Sequence, residues 1–229
     1  MTDKYNQIGA YNIDVCLCID KTGSMRPIID TVKRNAINLY RDILDSLEKK
    51  GKHVSCFRIR VIWFGDYLAD STPMLMSGFL KMPDEVSRFK EYVNGIQPGG
   101  GGDDPEDGLE ALAYAIRSDW VKTGWKKRHI IAIFTDAPAH ELGYGKSAAT
   151  YPKKGMPADF VELTQMWGSA SYGEMNNNAK RLLLFAPDTS WWYQIARAWN
   201  NVILTPASEA TGLADVAYRS VIDTIVHSV

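Results

Sequence analysis

Short, almost continuously apolar runs alternate along the chain with stretches in which apolar residues recur every three or four positions. The first kind reads as strands buried on both faces and the second as amphipathic helices. Their alternation marks a doubly wound α/β sheet covered by helices on both sides. The first strand spans Ile13 to Ile19 and stops at the polar turn Asp20 to Ser24. Pro27, tolerated in the first turn of a helix, opens a helix that the pattern carries to about Lys50, with Ile29, Val32, Ala36, Leu39, Ile43 and Leu47 on one stripe. Arg58 to Phe64 is the second strand, and Ser71 to Leu80 forms a hairpin with it as an edge strand, because Pro73 cannot donate to a central ladder. Further strands are predicted at His129 to Phe134, Leu182 to Phe185 and Val202 to Leu204. Further helices are predicted at Asp84 to Asn94, from Pro105 to about Ser118, at Ala158 to Trp167, at Ser190 to Trp199 and from Leu213 onward. The expected architecture is α/β: a mostly parallel, six-stranded sheet with one antiparallel edge strand. It forms a single domain over residues 1–229, its core running from Asn12 to Val226.

Three polar segments fall at strand ends or just ahead of a helix: Asp20-Lys21-Thr22-Gly23-Ser24, Asp103-Asp104-Pro105-Glu106 behind the glycine run Gly99 to Gly102, and Thr135-Asp136. In an open parallel sheet the ligand crevice lies outside the carboxyl ends of the strands, so these segments are expected to converge there. Carboxylates and hydroxyls without paired His or Cys suit a hard cation. Mg²⁺ fits best, with Mn²⁺ or Ca²⁺ as alternatives, and zinc is disfavoured. Gly23 gives the first segment the backbone freedom to curl three side-chain oxygens toward one point. The plainer reading of Thr22 and Ser24 is as caps of the helix that Pro27 opens.

The segment VCLCIDKTGSM resembles the metal-ion-dependent adhesion site of von Willebrand factor A domains, whose first motif is Asp-x-Ser-x-Ser with threonine tolerated at the middle position. RIRVIWFGDY and GGGGDDPEDGLEAL are similar to the following parts of that family, in the same order, and the similarity runs from Asn12 to Val226. The resemblance implies a Rossmann-like fold, with Thr22 and Ser24 touching the metal, Asp20 close by and often acting through water, and Asp136 as the third-loop aspartate. The second loop departs from the pattern, because the usual threonine position holds Asp103, with Asp104 as the alternative ligand. That change, with Asp136-Ala137-Pro138, resembles the intracellular von Willebrand A domains attached to alpha-kinases. A third carboxylate would hold the ion more tightly but weaken its pull on an acidic ligand. The implied function is binding without catalysis: a partner protein's carboxylate completes the coordination shell. Relatives often work beside MoxR-class ATPases, which makes an ATPase-containing complex an implied setting.

Composition narrows the alternatives. A net charge of −1 supplies no field for nucleic acid, and Lys126-Lys127-Arg128 reads as a solvated strand start rather than a phosphate patch. No signal peptide or membrane span is apparent, and the odd set Cys16, Cys18 and Cys56 reads as reduced thiols, so the expected setting is cytoplasmic, with no membrane partner. Residues 137–157 show no period and are expected to border the site; His140 there is a lesser candidate ligand, more readily a loop histidine bonded to backbone or water. Trp192, Ile195 and Trp199 share a helical stripe expected in the core, while an exposed Trp191 would suit an interface. Two other functions compete. Asp20-Lys21-Thr22-Gly23 also resembles the nucleophile loop of haloacid dehalogenase-like phosphoryl-transfer enzymes, but Gly65-Asp66 to Asp70, similar to their later acidic motif, comes too early, and no acid stands two residues after Asp20. The other is a von Willebrand A scaffold with a vestigial metal site.

Overall fold

The computed structural model describes residues 9–35, 38–100, 105–168, 175–206 and 218–229. Its centre is a sheet of strands β1 (Tyr11–Asp20), β2 (Val54–Phe64), β3 (Met74–Met76), β4 (Leu80–Met82), β5 (Lys126–Phe134), β6 (Lys180–Ala186) and β7 (Val202–Pro206). The order is β3-β2-β1-β5-β6-β7, with β4 also on β2. Strands β2, β1, β5, β6 and β7 are parallel, whereas β3 and β4 run antiparallel to β2. The chain therefore builds outward from β1 on one side, then returns to lay β5 against its other side. The switch point between β1 and β5 opens a crevice at their carboxyl ends.

The sheet has seven strands rather than the expected six because the single predicted edge strand is interrupted. Between β3 and β4 the ladder is carried partly by a side chain: the Val61 amide donates to Ser77 Oγ at 2.9 Å, while the Ser77 amide donates to Val61 O at 2.9 Å. The strand starts also extend beyond the apolar runs, since β5 pairs with β1 from Lys126↔Tyr11 onward, where solvent-facing rim residues carry no hydrophobic signal.

Helices α1 (Arg26–Asn35), α2 (Leu39–Lys49), α3 (Val86–Asn94) and α7 (Tyr218–Ser228) cover one face; α4 (Gly108–Ile116), α5 (Phe160–Gly168) and α6 (Ser190–Ala198) cover the other. The long first helix predicted from Pro27 to Lys50 is two helices. Asn35 turns its side-chain amide back onto Thr31 O at 2.8 Å and the Asn38 amide donates to Asn35 O at 2.8 Å, a local competition that ends a helix. The predicted stripe survives the break, with Ile29, Leu39, Ile43 and Leu47 buried; Ala36 lies outside the described residues. The helix predicted from Pro105 starts instead at Gly108, because Glu106 is held extended in a parallel bridge to Ala139. The predicted start of the last helix, Leu213, lies outside the described residues.

Alternation along β1 divides the core: Ile13, Val15, Leu17 and Ile19 enter one cluster, Cys16 and Cys18 the other, and all three cysteines are free thiols. Trp192, Ile195 and Trp199 are buried as expected. Trp191 is half-buried on Phe160, with ring centroids 4.7 Å apart, and the exposed tryptophan is Trp125, at 88%. The amino end of α4 presses against α6 so closely that a Cβ on Gly108 would fall 2.6 Å from the Trp192 ring. Gly108→Ala should therefore cost about 1–3 kcal/mol by overpacking, read as a lowered melting temperature. An unchanged melt would mean that the two helices can separate freely. No described helix is long and apolar enough to cross a membrane.

Candidate metal site

Asp20, the last residue of β1, is fully buried, and both its carboxylate oxygens are engaged. Oδ1 accepts from the Thr22 amide at 2.8 Å and the Thr22 hydroxyl at 2.6 Å, and Oδ2 accepts from the Thr135 hydroxyl at 2.8 Å. The carboxylate thus ties the first loop to the turn after β5. One turn further out, Ser24 Oγ donates to Asp136 Oδ1 at 3.0 Å and lies 3.4 Å from Thr22 Oγ1. Four of the five residues proposed as metal ligands from sequence, Asp20, Thr22, Ser24 and Asp136, thereby meet at the switch point. Asp103, the fifth, and its alternative Asp104 lie outside the described residues. Ser24 is exposed and Asp136 half-buried, so the outer part of this group faces solvent while Asp20 supports it from beneath.

A clamp beneath the first loop went unread as such in the sequence. Lys21 Nζ pairs with Asp70 Oδ2 at 2.9 Å, both side chains nearly buried, and Lys21 O accepts from the Gly99 amide at 2.9 Å. The Asp70 carboxylate sits between two glycines: a Cβ on Gly65 or Gly100 would lie 2.1 or 1.9 Å from its oxygens. Gly65 and Gly100 thus owe their identity to close approach, and the pair holds the first loop, the exit of β2 and the glycine run together. The signal was present in Gly65-Asp66 and in the glycine run, but only the fold brings them together.

The rim carries surplus acid. Burial pushes the Asp20 carboxyl up to about 6 against the hydrogen bonds from Thr22 and Thr135, and Asp136 adds to the rise. Glu106 is pushed up to about 9, first by burial and then by the charges of Asp20, Asp66, Asp70 and Asp107. Asp107 rises to about 7 through burial and Glu110, opposed by the hydrogen bond from the Tyr67 amide. Among the described residues, Glu106 Oε2, Asp107 Oδ1 and Glu110 Oε2 are buried without a hydrogen-bond partner. Glu106 and Thr135 belong with the site, although only their segments were noted in the sequence.

Such a group fits a hard cation, because it joins hydroxyls and carboxylates where, among the described residues, acidic side chains outnumber Lys21, itself paired with Asp70. The fit has a limit: among the described residues no three His, Cys, Asp or Glu side chains gather in a metal-holding arrangement, so a cation here would depend on Thr22, Ser24 and Asp136, with the second loop completing the set. His140 is buried, its ring stacked on Tyr144 at 4.0 Å with Nε2 3.6 Å from Asp66 Oδ2. The loop after Asp136 is anchored: Glu110 Oε1 accepts from the Gly143 amide at 2.8 Å and the Tyr151 hydroxyl at 3.1 Å, and Tyr151 packs on Tyr67 with centroids 4.9 Å apart.

A pH prediction follows for the chain in chelator. Glu106 and Asp107 bind protons more tightly folded than unfolded, so the unfolded chain releases them first and stability falls as pH rises from about 4.5 to 9. Glu106→Gln should flatten the alkaline part of that fall, between pH 7 and 9. A tenfold change in proton affinity is worth about 1.4 kcal/mol, so recovering even ~2 kcal/mol at pH 9 would raise the melting temperature by roughly 4–8 °C. Denaturant titrations of both chains across this range check it. Parallel curves would show that Glu106 does not titrate in the fold.

The von Willebrand factor A domain family model matches residues 14–149, more than half of the chain. Among curated proteins, the alpha-protein kinase vwkA of Dictyostelium discoideum is 26% identical over 140 residues, covering 61% of this chain and 21% of the kinase. Among solved structures, the pilus adhesin SpaC of Lactobacillus rhamnosus GG superposes with a TM-score of 0.55 at 11% identity, over 96% of this chain and 31% of the adhesin. Its open conformation gives the same TM-score at 10% identity, with 30% of the adhesin covered. The chain thus spans about a fifth of the kinase and under a third of the adhesin. The family match over β1, the glycine run and β5, on a mostly parallel sheet with the family's loops at its switch point, leads to one conclusion: this chain belongs to the von Willebrand factor A domain family.

Proposed function

We propose that the domain is a divalent-cation-dependent protein-binding module and not an enzyme. Thr22, Ser24 and Asp136 would hold the cation, with Asp20 supporting them through its hydrogen bonds and Asp103 contributing from the second loop. Mg²⁺ suits this donor set best, with Mn²⁺ or Ca²⁺ as alternatives. When bound, the ion supplies a positive charge that draws a carboxylate from a partner protein. The carrying observation is the 3.0 Å contact between Ser24 and Asp136, residues 112 positions apart, with Thr22 Oγ1 3.4 Å from Ser24 Oγ.

Binding is favoured over phosphoryl transfer because both oxygens of Asp20 are engaged and buried, which suits support and not nucleophilic attack. The similarity to part of an alpha-protein kinase supports an adaptor role beside a catalytic partner, such as an ATPase-containing complex. Free thiols support a cytoplasmic setting.

Calorimetric titration of chelator-stripped protein with Mg²⁺ and Mn²⁺ tests the reading. Binding should be measurable and weakened at least tenfold, about 1.4 kcal/mol, in Ser24→Ala. Absent binding, or binding indifferent to Ser24, would leave a scaffold with a vestigial site. Capture of partners with Mg²⁺ but not with chelator would then identify the carboxylate donor.

A further inference from the structure

At the opposite rim of the sheet, the strand-start tract Lys126-Lys127-Arg128 resolves into two faces. Lys127 turns to one side, where Nζ donates to Lys122 O and Gly124 O. Lys126 and Arg128 turn to the other and flank the Tyr11 ring, 5.2 and 5.4 Å from its centroid. The register Ile130↔Arg181 brings Arg181 onto that same face one strand over. Arg128, Arg181, Lys52 and His227 then line a cleft of about 380 Å³, with Val202 and Val229 among its apolar walls.

Among the described residues four basic side chains share this cleft and no acidic side chain lines it. Among the described residues none of the four forms an ion pair, in contrast to Arg58 on the same rim, which Asp14 neutralises. Among the described residues the two guanidiniums donate only to backbone carbonyls, Arg128 to Lys127 O and Arg181 to Lys180 O and Asn178 O. Arg128 Nε is buried with no partner among the described residues. Arg181 is held below the ordinary arginine range by burial and by the neighbouring Arg128 charge. The carboxyl end of α7 offers about half an elementary negative charge and a terminal carboxylate on Val229 would add one more, which together fall short of balancing two guanidiniums and an ammonium.

We propose that this cleft binds a phosphate-bearing ligand. Two adjacent guanidinium forks, an ammonium and an imidazole present many donors and several positive charges to one open cleft, which suits a multiply charged anion with several acceptors better than a single carboxylate. The cleft lies some six residues down β5 from the metal rim, roughly 20 Å along the strand, so its occupancy can be tested apart from the cation.

Inorganic pyrophosphate, titrated calorimetrically in chelator, probes a soluble source. Co-sedimentation with phosphatidylcholine vesicles, with and without a phosphoinositide, probes a lipid headgroup. Binding in either arm should weaken at least tenfold in Arg128→Gln/Arg181→Gln and fall with added salt, while Mg²⁺ binding is unchanged. Thermal melts check that the double variant folds, and Lys52→Gln/His227→Gln, which changes the exposed His227 in place of the two arginines, should weaken the same binding several-fold. Response to pyrophosphate assigns a soluble ligand, and response to the phosphoinositide vesicles alone assigns a headgroup; either supports the site. No binding in both arms, or binding that both variants retain, overturns it.

Discussion

Asp14→Ala should destabilise the domain by about 3–5 kcal/mol, enough to lower its melting temperature by roughly 6–20 °C, while leaving cation affinity unchanged. Asp14 is fully buried at the start of β1. Its oxygens accept from Arg58 Nε at 2.7 Å and Nη2 at 2.6 Å, and from the Val121 amide at 2.6 Å. That fork joins β1 to β2, and Arg58 also reaches Asp119 O and stacks on Phe79, so the loop ahead of β5 is held by the same group. The alanine variant leaves a partly buried guanidinium and a main-chain amide without their acceptor. The loss arises from those stranded groups more than from the ion pair itself, so Asp14→Leu/Arg58→Met should cost less than the two single changes together. A loss below about 1 kcal/mol in Asp14→Ala would show that water replaces the carboxylate at this rim.

The sequence carried the layout of the domain wherever burial governs residue choice. β5, apolar from His129 onward, and the stripe through Ile29, Ile43 and Leu47 are legible because a two-sided sheet and a helix face impose distinct periods. Legibility stops where polar groups replace the pattern. The break after Asn35 and the Ser77 interruption of the edge ribbon rest on side-chain bonds to nearby backbone, which leave periodicity intact. At the site, Asp20, Thr22, Ser24 and Asp136 were readable because a resemblance gave each loop its place. Lys21, Asp70 and Glu106 were not, since their roles depend on which loops the sheet order juxtaposes, and two of those loops belong to different sides of β1. Arg128 and Arg181 repeat the lesson: 53 positions separate them in number, and only parallel pairing makes them neighbours.

Asp20→Asn should separate metal binding from folding. The carboxylate is buried and its acidity is weakened chiefly by that burial, so the ionised form opposes folding near neutral pH. An asparagine removes the charge and keeps the shape. Its carbonyl can accept from the Thr22 amide and hydroxyl, while its amide faces Thr135, whose hydroxyl can turn to Ala137 O at 3.3 Å. In chelator, the variant should therefore melt at or above the temperature of the natural chain. For the cation the change works the other way, because Asp20 fixes the orientation of the Thr22 hydroxyl and supplies negative charge beneath it; about 10–100-fold of affinity should be lost. A cation at a hundred times its dissociation constant stabilises a fold by about 2.7 kcal/mol, so at that concentration the melting shift of the natural chain should be roughly 5–11 °C and that of the variant only a fraction of it. If the two chains shift equally, Asp20 serves only the fold. If the variant is markedly less stable in chelator, the carboxylate's hydrogen bonds to the two threonines outweigh the burial of its charge, and a folding defect would have to be removed before any change in affinity could be assigned to the site.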